Sequence, residues 1–543
     1  MVLIGVVTVV GLALRLRSLN SSLFADELST YYIVSGHSLS RVLQLVHSNQ
    51  ELTPPLYFIL VWLTKGVLGN QVESIRLVSL TAGVAAIPLT YVLGLWTVGK
   101  RAALVGATGV ALSPFMIYYS TEARAYMLMC TLALVSTLGL LKALDTGRWI
   151  WWAGYAAASC ACIYTHYTVV FVLIAQFIWA FWTRPEARRR LLTANGVVLL
   201  AYLPWLGGLR QDLHSPTAVA SLNPFDLSTV WTDLWSWSIG HPYITVTTMP
   251  GPVALAVAGV GLALAVIGLV TKAGGGRRRR WPSARTVLIL ALALASVVGT
   301  TIQSSIGADV FSPRSLITSW PGLALAIGLL VTSPPRPFRM AAVAMVLGAI
   351  AVGSVQMLRS QSQRPDIGAA AQFIEHRGLP GNVIVDTPEF VNPLSDLDVA
   401  LANSGQPTYV PGNWEDRALP ATPAGVVVLR LGLPPLSVGL HSLTGANAQK
   451  LGDASTTPPQ VVAKQAADLA RHGTLYLVAT GSDRFQGSFL DITLSAFPNS
   501  TISLFLRALP KRFHLVETRT FPSFPFESAV YTFRDTHILA QRH

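Results

Sequence analysis

The chain has 543 residues, 52% of them hydrophobic and 12% charged, with a formal charge of +13. A soluble domain carries about 25% charged residues and a disordered chain is poor in apolar ones, so neither class fits. A basic excess points to nucleic acid in a soluble protein; in a membrane protein it first asks which side of the bilayer holds it. Cys130, Cys160 and Cys162 all sit in apolar runs, so they read as small buried residues and give neither a disulfide framework nor a zinc site.

A membrane helix needs about 20 apolar residues. Eleven stretches qualify, near 2–17, 77–98, 102–118, 125–142, 149–165, 167–183, 191–207, 251–270, 285–302, 315–332 and 340–357. The first lacks a basic leader and a small-residue cleavage site and runs into Arg15 and Arg17, so it reads as a retained helix. Alternate loops hold Lys100–Arg101, Lys142 with Arg148, Arg184 with Arg188–Arg190, Lys272 with Arg277–Arg280 and Arg285, and Arg336 with Arg339. Positive charge marks the cytoplasmic side, which places the N-terminus inside and the C-terminus outside. Loops near 18–76, 208–250 and 303–314 then face outward.

After residue 357 the composition changes. Short β-like strings appear (NVIVDT, GVVVLRL, TLYLVAT, FHLVETRT, SAVYTFRD), with helical patterns in PDIGAAAQFIEH and PPQVVAKQAADLARH. The expected architecture is a polytopic α-helical membrane domain, residues 1–357, followed by an extracytoplasmic α/β domain, residues 358–543. Residues 358–543 hold 15 basic and 15 acidic side chains, whereas the cytoplasmic loops hold 16 basic ones against Asp145 and Glu186. The charge is therefore topological and gives no support for nucleic acid as a partner.

Residues 1–357 contain 11 acidic side chains, and three stand beside expected outer helix ends: Asp26 and Glu27 in SLFADELSTYY, and Glu122 in YYSTEARAYML. Charge near hydrocarbon is costly and marks function by default. The ordinary alternatives are acids placed at a helix N-terminus for Asp26–Glu27, and a local ion pair for Glu122 with Arg124.

These segments together resemble the GT-C superfamily of integral membrane glycosyltransferases, in the branch of the protein O-mannosyltransferases and the aminoarabinose transferases of lipid A. The matching elements come in order: the acidic pair Asp26–Glu27; TPPLYFIL, which contains Tyr57; Arg76 in ESIRLVSLTAGVAAIPLTYVLG; the Glu122-Ala-Arg124 string; and Arg314 in FSPRSLITSWPGLALAIGLL. RPDIGAAAQFI, after the last span, is a weaker match. Many relatives have His before the Pro-Pro, where this chain has Thr53, and Arg-Tyr at the late helix, where it has Arg314–Ser315.

The resemblance implies transfer of a sugar from a polyprenyl phosphate to an extracytoplasmic hydroxyl. The leaving lipid phosphate gains charge as its bond breaks, and arginine forks suit it: Arg124 and Arg314 first, Arg76 third. Asp26 is the expected general base, with Glu27 beside it and Glu122 orienting a substrate or steadying Arg124. Direct displacement then inverts the sugar configuration. Tyr57, Tyr119, Tyr126 and His166 are the expected substrate contacts; aromatic-belt anchoring is the ordinary reading of such tyrosines. Trp231, Trp235 and Trp237, with His241, form an aromatic loop that reads as a surface helix or as a wall for sugar or lipid.

No cofactor is implied. Asp26 and Glu27 offer oxygen ligands to a divalent metal, but no metal motif of defined spacing is present. The expected partners are the polyprenyl-phosphate sugar donor, a glycan, lipoglycan or protein acceptor, and membrane lipid. Richness in Ala, Gly, Val and Arg suggests a high-GC bacterium, hence a multi-pass protein of the bacterial inner membrane. Mannose is the first sugar and a cell-envelope glycan or lipoglycan the first acceptor, with protein Ser/Thr as the alternative acceptor. A transporter or flippase of lipid-linked sugars is the competing class, and predicts charges near the membrane midplane. A non-catalytic scaffold is the third.

Overall fold

The computed structural model describes residues 2–24, 26–48, 51–69, 72–214, 225–273, 282–307, 309–359, 362, 364, 366–377, 382–387, 427–430, 458–471, 473–482, 501–521 and 526–535. The chain divides into two compact units: residues 1–20 with 37–358, and residues 21–36 with 359–543.

The first unit is a helical bundle. Its helices are α1 (Val2–Leu16), α3 (Leu39–Val46), α4 (Leu56–Leu68), α5 (Val72–Thr97), α6 (Lys100–Leu112), α7 (Pro114–Ser120), α8 (Tyr126–Thr146), α9 (Trp149–Ile163), α10 (Val170–Thr183), α11 (Arg188–Tyr202), α12 (Leu206–Leu213), α13 (Leu227–Ser238), α14 (Pro252–Ala273), α15 (Ala284–Ile306), α16 (Trp320–Thr332) and α17 (Arg336–Met357). Helix α2 (Asp26–Val34) belongs to the second unit. Among the described residues, seven helical segments are long and apolar enough to cross a membrane, and an eighth is the bent pair α6–α7. These eight correspond to eight of the eleven expected spans. The other three expected spans, at 2–17, 149–165 and 167–183, form shorter apolar helices. The stretch expected as one loop over 18–76 instead contains α2, α3, α4 and the start of α5, because short helices leave no membrane-length signal.

The expected straight span at 102–118 is broken, with α6 and α7 inclined at 59°. Pro114 explains this. It lacks an N–H, and its ring crowds the preceding turn, so one helix ends at Leu112 and the next starts at the proline. Ser113 caps the new helix by accepting from the Met116 N–H at 3.3 Å. The exposed carbonyls at the end of α6 receive the buried guanidinium of Arg15, whose Nη1 donates to Ala111 O and whose Nη2 donates to Val110 O, both at 3.1 Å. Its Nε reaches Ser120 Oγ on α7 at 2.9 Å, so one cation ties both sides of the bend and sits at the negative end of a helix dipole.

Helix α16 approaches α6 so closely that a Cβ on Gly328 would lie 2.5 Å from the Ala102 carbonyl oxygen. Small residues at such a crossing supply the packing that apolar lipid cannot drive. At the end of the bundle that carries the basic turns, Arg285 donates to both carboxylate oxygens of Asp145 at 2.6 and 2.8 Å and to Trp96 O at 2.9 Å. Those contacts gather the turns that the alternation of charge had grouped together.

The second unit is a three-layer α/β domain. Its sheet has the order β2-β1-β3-β5-β4, built from β1 (Val383–Thr387), β2 (Val427–Arg430), β3 (Thr474–Ser482), β4 (Phe513–Phe521) and β5 (Phe526–Asp535). β1 runs parallel to β2 and β3, while β5 is antiparallel to β3 and β4. All five strands coincide with the β-like strings of the sequence. Alternation along β1, β3 and β5 sends Val383, Val385, Leu475, Leu477 and Tyr531 to one face, under α19 (Pro459–Leu469) and α20 (Thr501–Ala508). Ile384, Tyr476, Val478 and Val530 face the other way, under α18 (Ile367–Glu375).

Candidate active site

The Glu122-Ala-Arg124 string forms the turn between α7 and α8, and both charged side chains are buried. Arg124 is held by a residue the sequence reading did not single out. Its Nη1 donates to Glu51 Oε2 at 2.6 Å and its Nη2 to Glu51 Oε1 at 3.0 Å. Glu51 is fixed in turn by the Thr53 hydroxyl at 2.9 Å and the Leu52 N–H at 3.0 Å. A bidentate carboxylate–guanidinium pair of this kind sets direction as well as distance. The terminal edge of the Arg124 fork is therefore occupied by a carboxylate. This makes Arg124 a partly neutralised, rigid donor, where the expectation gave it to phosphate, with a local ion pair to Glu122 as the ordinary alternative.

Below the turn, the Arg124 carbonyl accepts from Ser79 Oγ on α5 at 3.0 Å, and Ser79 shares a 2.9 Å hydrogen bond with the Tyr57 hydroxyl on α4. Tyr57 has no exposed surface. The structure thus places this expected substrate contact as a brace under the turn. Arg76 is also fully buried, and its Nη1 donates to the Leu19 carbonyl at 2.6 Å. That bond anchors the chain after α1.

Above the turn the aromatic residues touch in series. Tyr118 packs edge-on to His241 at 4.9 Å and to Tyr119 at 5.3 Å; Tyr119 meets Tyr126 at 5.3 Å, and Tyr126 meets His166 at 5.5 Å, all between ring centroids. Tyr243 joins the other end against Tyr118 at 5.4 Å. Tyr119 lies within electrostatic reach of Glu122 and Arg314, and His166 within reach of Arg124 and Arg314. Arg314 itself is half-buried, in the 3₁₀ stretch Pro313–Ser319 that leads into α16. The structure therefore brings Glu122, Arg124, Arg314, Tyr119, Tyr126 and His166 into one cluster.

His166 caps the short turn before α10. Its Nδ1 accepts from the Thr168 N–H at 3.3 Å and lies 3.0 Å from the Thr168 hydroxyl. Burial among the packed rings, then Arg124 and Arg314, pull the imidazole down to about 3. The ring is neutral near pH 7, and a neutral ring that accepts at Nδ1 carries its proton on Nε2. On the aromatic helix α13, Trp231 is exposed while Trp237 is buried, its carbonyl accepting from Trp320 Nε1 at 2.8 Å.

Asp26 and Glu27 lie in the second unit, at the first turn of α2. Their environments differ. Asp26 is half-exposed, while Glu27 has no accessible surface. Glu27 Oε2 accepts from the Phe24 N–H at 3.3 Å, the Glu27 N–H donates to Phe24 O at 3.1 Å, and Arg364 Nε stands 3.5 Å from the same carboxylate. The ordinary capping role of an acid at a helix start fits Glu27. Among the described residues, no three His, Cys, Asp or Glu side chains gather as a metal site.

Glu51 and Arg364 are the residues that sequence reasoning missed. Glu51 was detectable in principle. It is an acid four residues before Pro55 of the Pro-Pro string, in a chain where buried arginines need partners. Arg364 sits in RPDIGAAAQFI, a string to which the resemblance assigns no role.

Residues 53–207 match the model of a family described as dolichyl-phosphate-mannose-protein mannosyltransferase. That stretch contains Glu122, Arg124, Tyr126 and His166. No curated protein matches the chain in sequence. Among solved structures, apo ArnT from Cupriavidus metallidurans aligns with a TM-score of 0.50 at 14% identity, over 98% of this chain and 97% of that one. The same protein bound to undecaprenyl phosphate gives 0.48 at 14% identity, with the same coverage. Arabinofuranosyltransferase AftD from Mycobacteria gives 0.44 at 16% identity, over 98% of this chain and 40% of that one.

Proposed function

We propose that this chain is a multi-pass membrane glycosyltransferase of the GT-C superfamily that moves a sugar from a polyprenyl-phosphate donor to an acceptor hydroxyl outside the cytoplasm of a bacterium. The observation that carries the reading is the cluster of Arg314, Arg124 with Glu51, neutral His166 and the linked tyrosines, most of it within the segment that matches the mannosyltransferase family model. The family's description supports mannose as the first sugar. A cell-envelope glycan or lipoglycan is the first acceptor.

The chemistry assigns one role to each group. The acceptor oxygen attacks the anomeric carbon and gives up its proton to Asp26, the half-exposed member of the acidic pair. The bond from that carbon to the phosphate oxygen breaks, and its electron pair leaves with the polyprenyl phosphate. Arg314 meets the charge that develops there. Arg124, fixed by Glu51, and the Nε2–H of His166 are further donors whose positions are set before the substrate arrives. A phosphate leaves without a proton, so one carboxylate suffices and the sugar inverts, unlike in glycosidases, where two carboxylates share the work.

The test is a transfer assay with purified full-length protein and a panel of polyprenyl-phosphate sugars. Polyprenyl-phosphate mannose is expected to be consumed, and Asp26→Asn to lower the rate by about 10²- to 10⁴-fold, the usual contribution of a general base. Full activity in Asp26→Asn removes the assigned base. Inertness toward every donor removes the transfer reading itself.

A further inference from the structure

We propose that Arg364 is a positioning residue for the acidic pair, and that the α/β domain is thereby a structural part of the catalytic apparatus. This rests on the reading of Asp26 as general base. It starts from the first-unit helices ending at Met357 and from the motif just beyond them, to which the transfer mechanism gives no task.

Within the second unit, the loop before α2 is tied at several points to residues 364–368. The Arg364 guanidinium bridges the two ends of that loop: Nη1 donates to Ser21 Oγ at 3.2 Å, and Nε faces Glu27 Oε2 at 3.5 Å. Both partners of the ion pair are at least nine-tenths buried. Four residues on, the Gly368 N–H donates to Ser22 Oγ at 2.9 Å, so the loop also takes one of the unpaired donors at the start of α18. Asp366 Oδ1 accepts the neighbouring Ala369 N–H at 3.0 Å and completes that cap.

Helix α18 is not free to drift. Ile367, Ala370, Ala371 and Ile374 are all buried against Ile384, Tyr476, Val478 and Val530 of the sheet. Rigidity therefore passes from the sheet to α18, from α18 to Arg364 and Ser22, and from these to the loop that ends in Asp26 and Glu27. Leu23, Phe24 and Leu28 are buried around the same turn, while Asp26 alone of the pair keeps exposed surface. A reacting carboxylate on a loop needs such support, because displacements of about 1 Å cost about 10²-fold in rate. A buried ion pair is weak evidence for stability, and the most direct role for this one is to fix geometry.

The experiment compares full-length wild type with Arg364→Gln, Arg364→Lys, Glu27→Gln, the Glu27→Gln/Arg364→Gln double variant and Ser22→Ala, each with its melting temperature. Transfer is measured with polyprenyl-phosphate mannose. Arg364→Gln is expected to lower kcat about 10²-fold while the donor KM stays within about twofold. Arg364→Lys should recover part of that loss. The double variant should be no slower than the worse single variant, as two groups that act through one contact require. Should Arg364→Gln fail to fold, Ser22→Ala and Arg364→Lys carry the test, each expected to lower kcat with the donor KM unchanged. Wild-type kcat in the folded variants, or losses that multiply in the double variant, would overturn the proposal. Asp26→Asn in the same assay separates the two ideas: an inert Asp26→Asn beside a fully active Arg364→Gln discards the positioning role alone, and an active Asp26→Asn discards the base.

Discussion

Two buried acid–arginine pairs organise the two units, and they are built differently. In the bundle, Glu51 grips Arg124 through two short bonds at 2.6 and 3.0 Å, and the cation belongs to the functional string. In the α/β domain, Arg364 Nε stands 3.5 Å from Glu27 Oε2 and its Nη1 donates to Ser21 Oγ, and here the acid belongs to the candidate string. In the first case a cation of the candidate site is partly neutralised, and the proposal gives the charge developing on the phosphate to the half-buried Arg314. In the second, the buried acid is engaged by structure, and the proposal gives the proton transfer to its half-exposed neighbour Asp26.

The sharpest way to break this comparison is to remove each acid. Glu51→Ala strands Arg124 in a buried site and is expected to cost about 3–5 kcal/mol, with part of the loss regained in Glu51→Ala/Arg124→Ala. Glu27→Ala should cost less, about 1–3 kcal/mol, because Ser21 still accepts from Arg364. Thermal unfolding in detergent measures both. Equal costs at the two sites would erase the distinction between a tight pair and a loose one.

The second prediction concerns Arg314. Arg314→Ala is expected to lower transfer by about 10²- to 10³-fold, the usual cost of losing one donor to a developing charge, with little change in melting temperature since the side chain is half-buried. A loss of stability with transfer intact would make Arg314 a structural residue and return the phosphate to Arg124.

A smaller effect tests the floor of the site. Tyr57→Phe removes only the hydroxyl that shares a hydrogen bond with Ser79, and should cost about 1 kcal/mol. The donor KM is expected to stay unchanged, since Tyr57 has no exposed surface. A raised KM without a stability change would restore it as a substrate contact.

What the sequence made legible follows from the range of each signal. The strands were visible because β-period alternation is local: Ile384 faces one side of the sheet while Val383 and Val385 face the other. The long helices were visible because hydrophobic length is local as well. The break at Pro114 lay in plain view, yet the apolar run continued across it and hid the 59° turn. The candidate site was legible only in its strings. The strings around Asp26, Glu122 and Arg314 stood out by charge in an apolar context. Their partners did not, because Glu51 is 73 residues from Arg124, and Arg364 lies beyond every membrane-length helix from Glu27. No spacing rule links such pairs; only folding brings them together. For Tyr57 the motif marks importance but not whether the side chain faces substrate or core; the fold buries it beside Ser79.

The smallest expected effect is on pH dependence, and it tests the state of His166. The unfolded imidazole titrates near 6.5, whereas in the fold burial and two nearby arginines hold it at about 3. Between those values the unfolded chain binds the extra proton and the native one does not. The stabilising contribution is thus complete above about pH 6.5 and is lost as pH falls toward 3. Stability should decline on acidification, while activity between about pH 6 and 8 should show no limb from this ring. His166→Gln, which keeps an N–H donor in a side chain of similar reach, is expected to preserve the shape of the activity profile and to remove its share of the acid-induced loss of stability. A wild-type activity limb near pH 6.5 that vanishes in His166→Gln would mean that the ring charges during turnover, which would move it from a fixed donor to an acid–base participant.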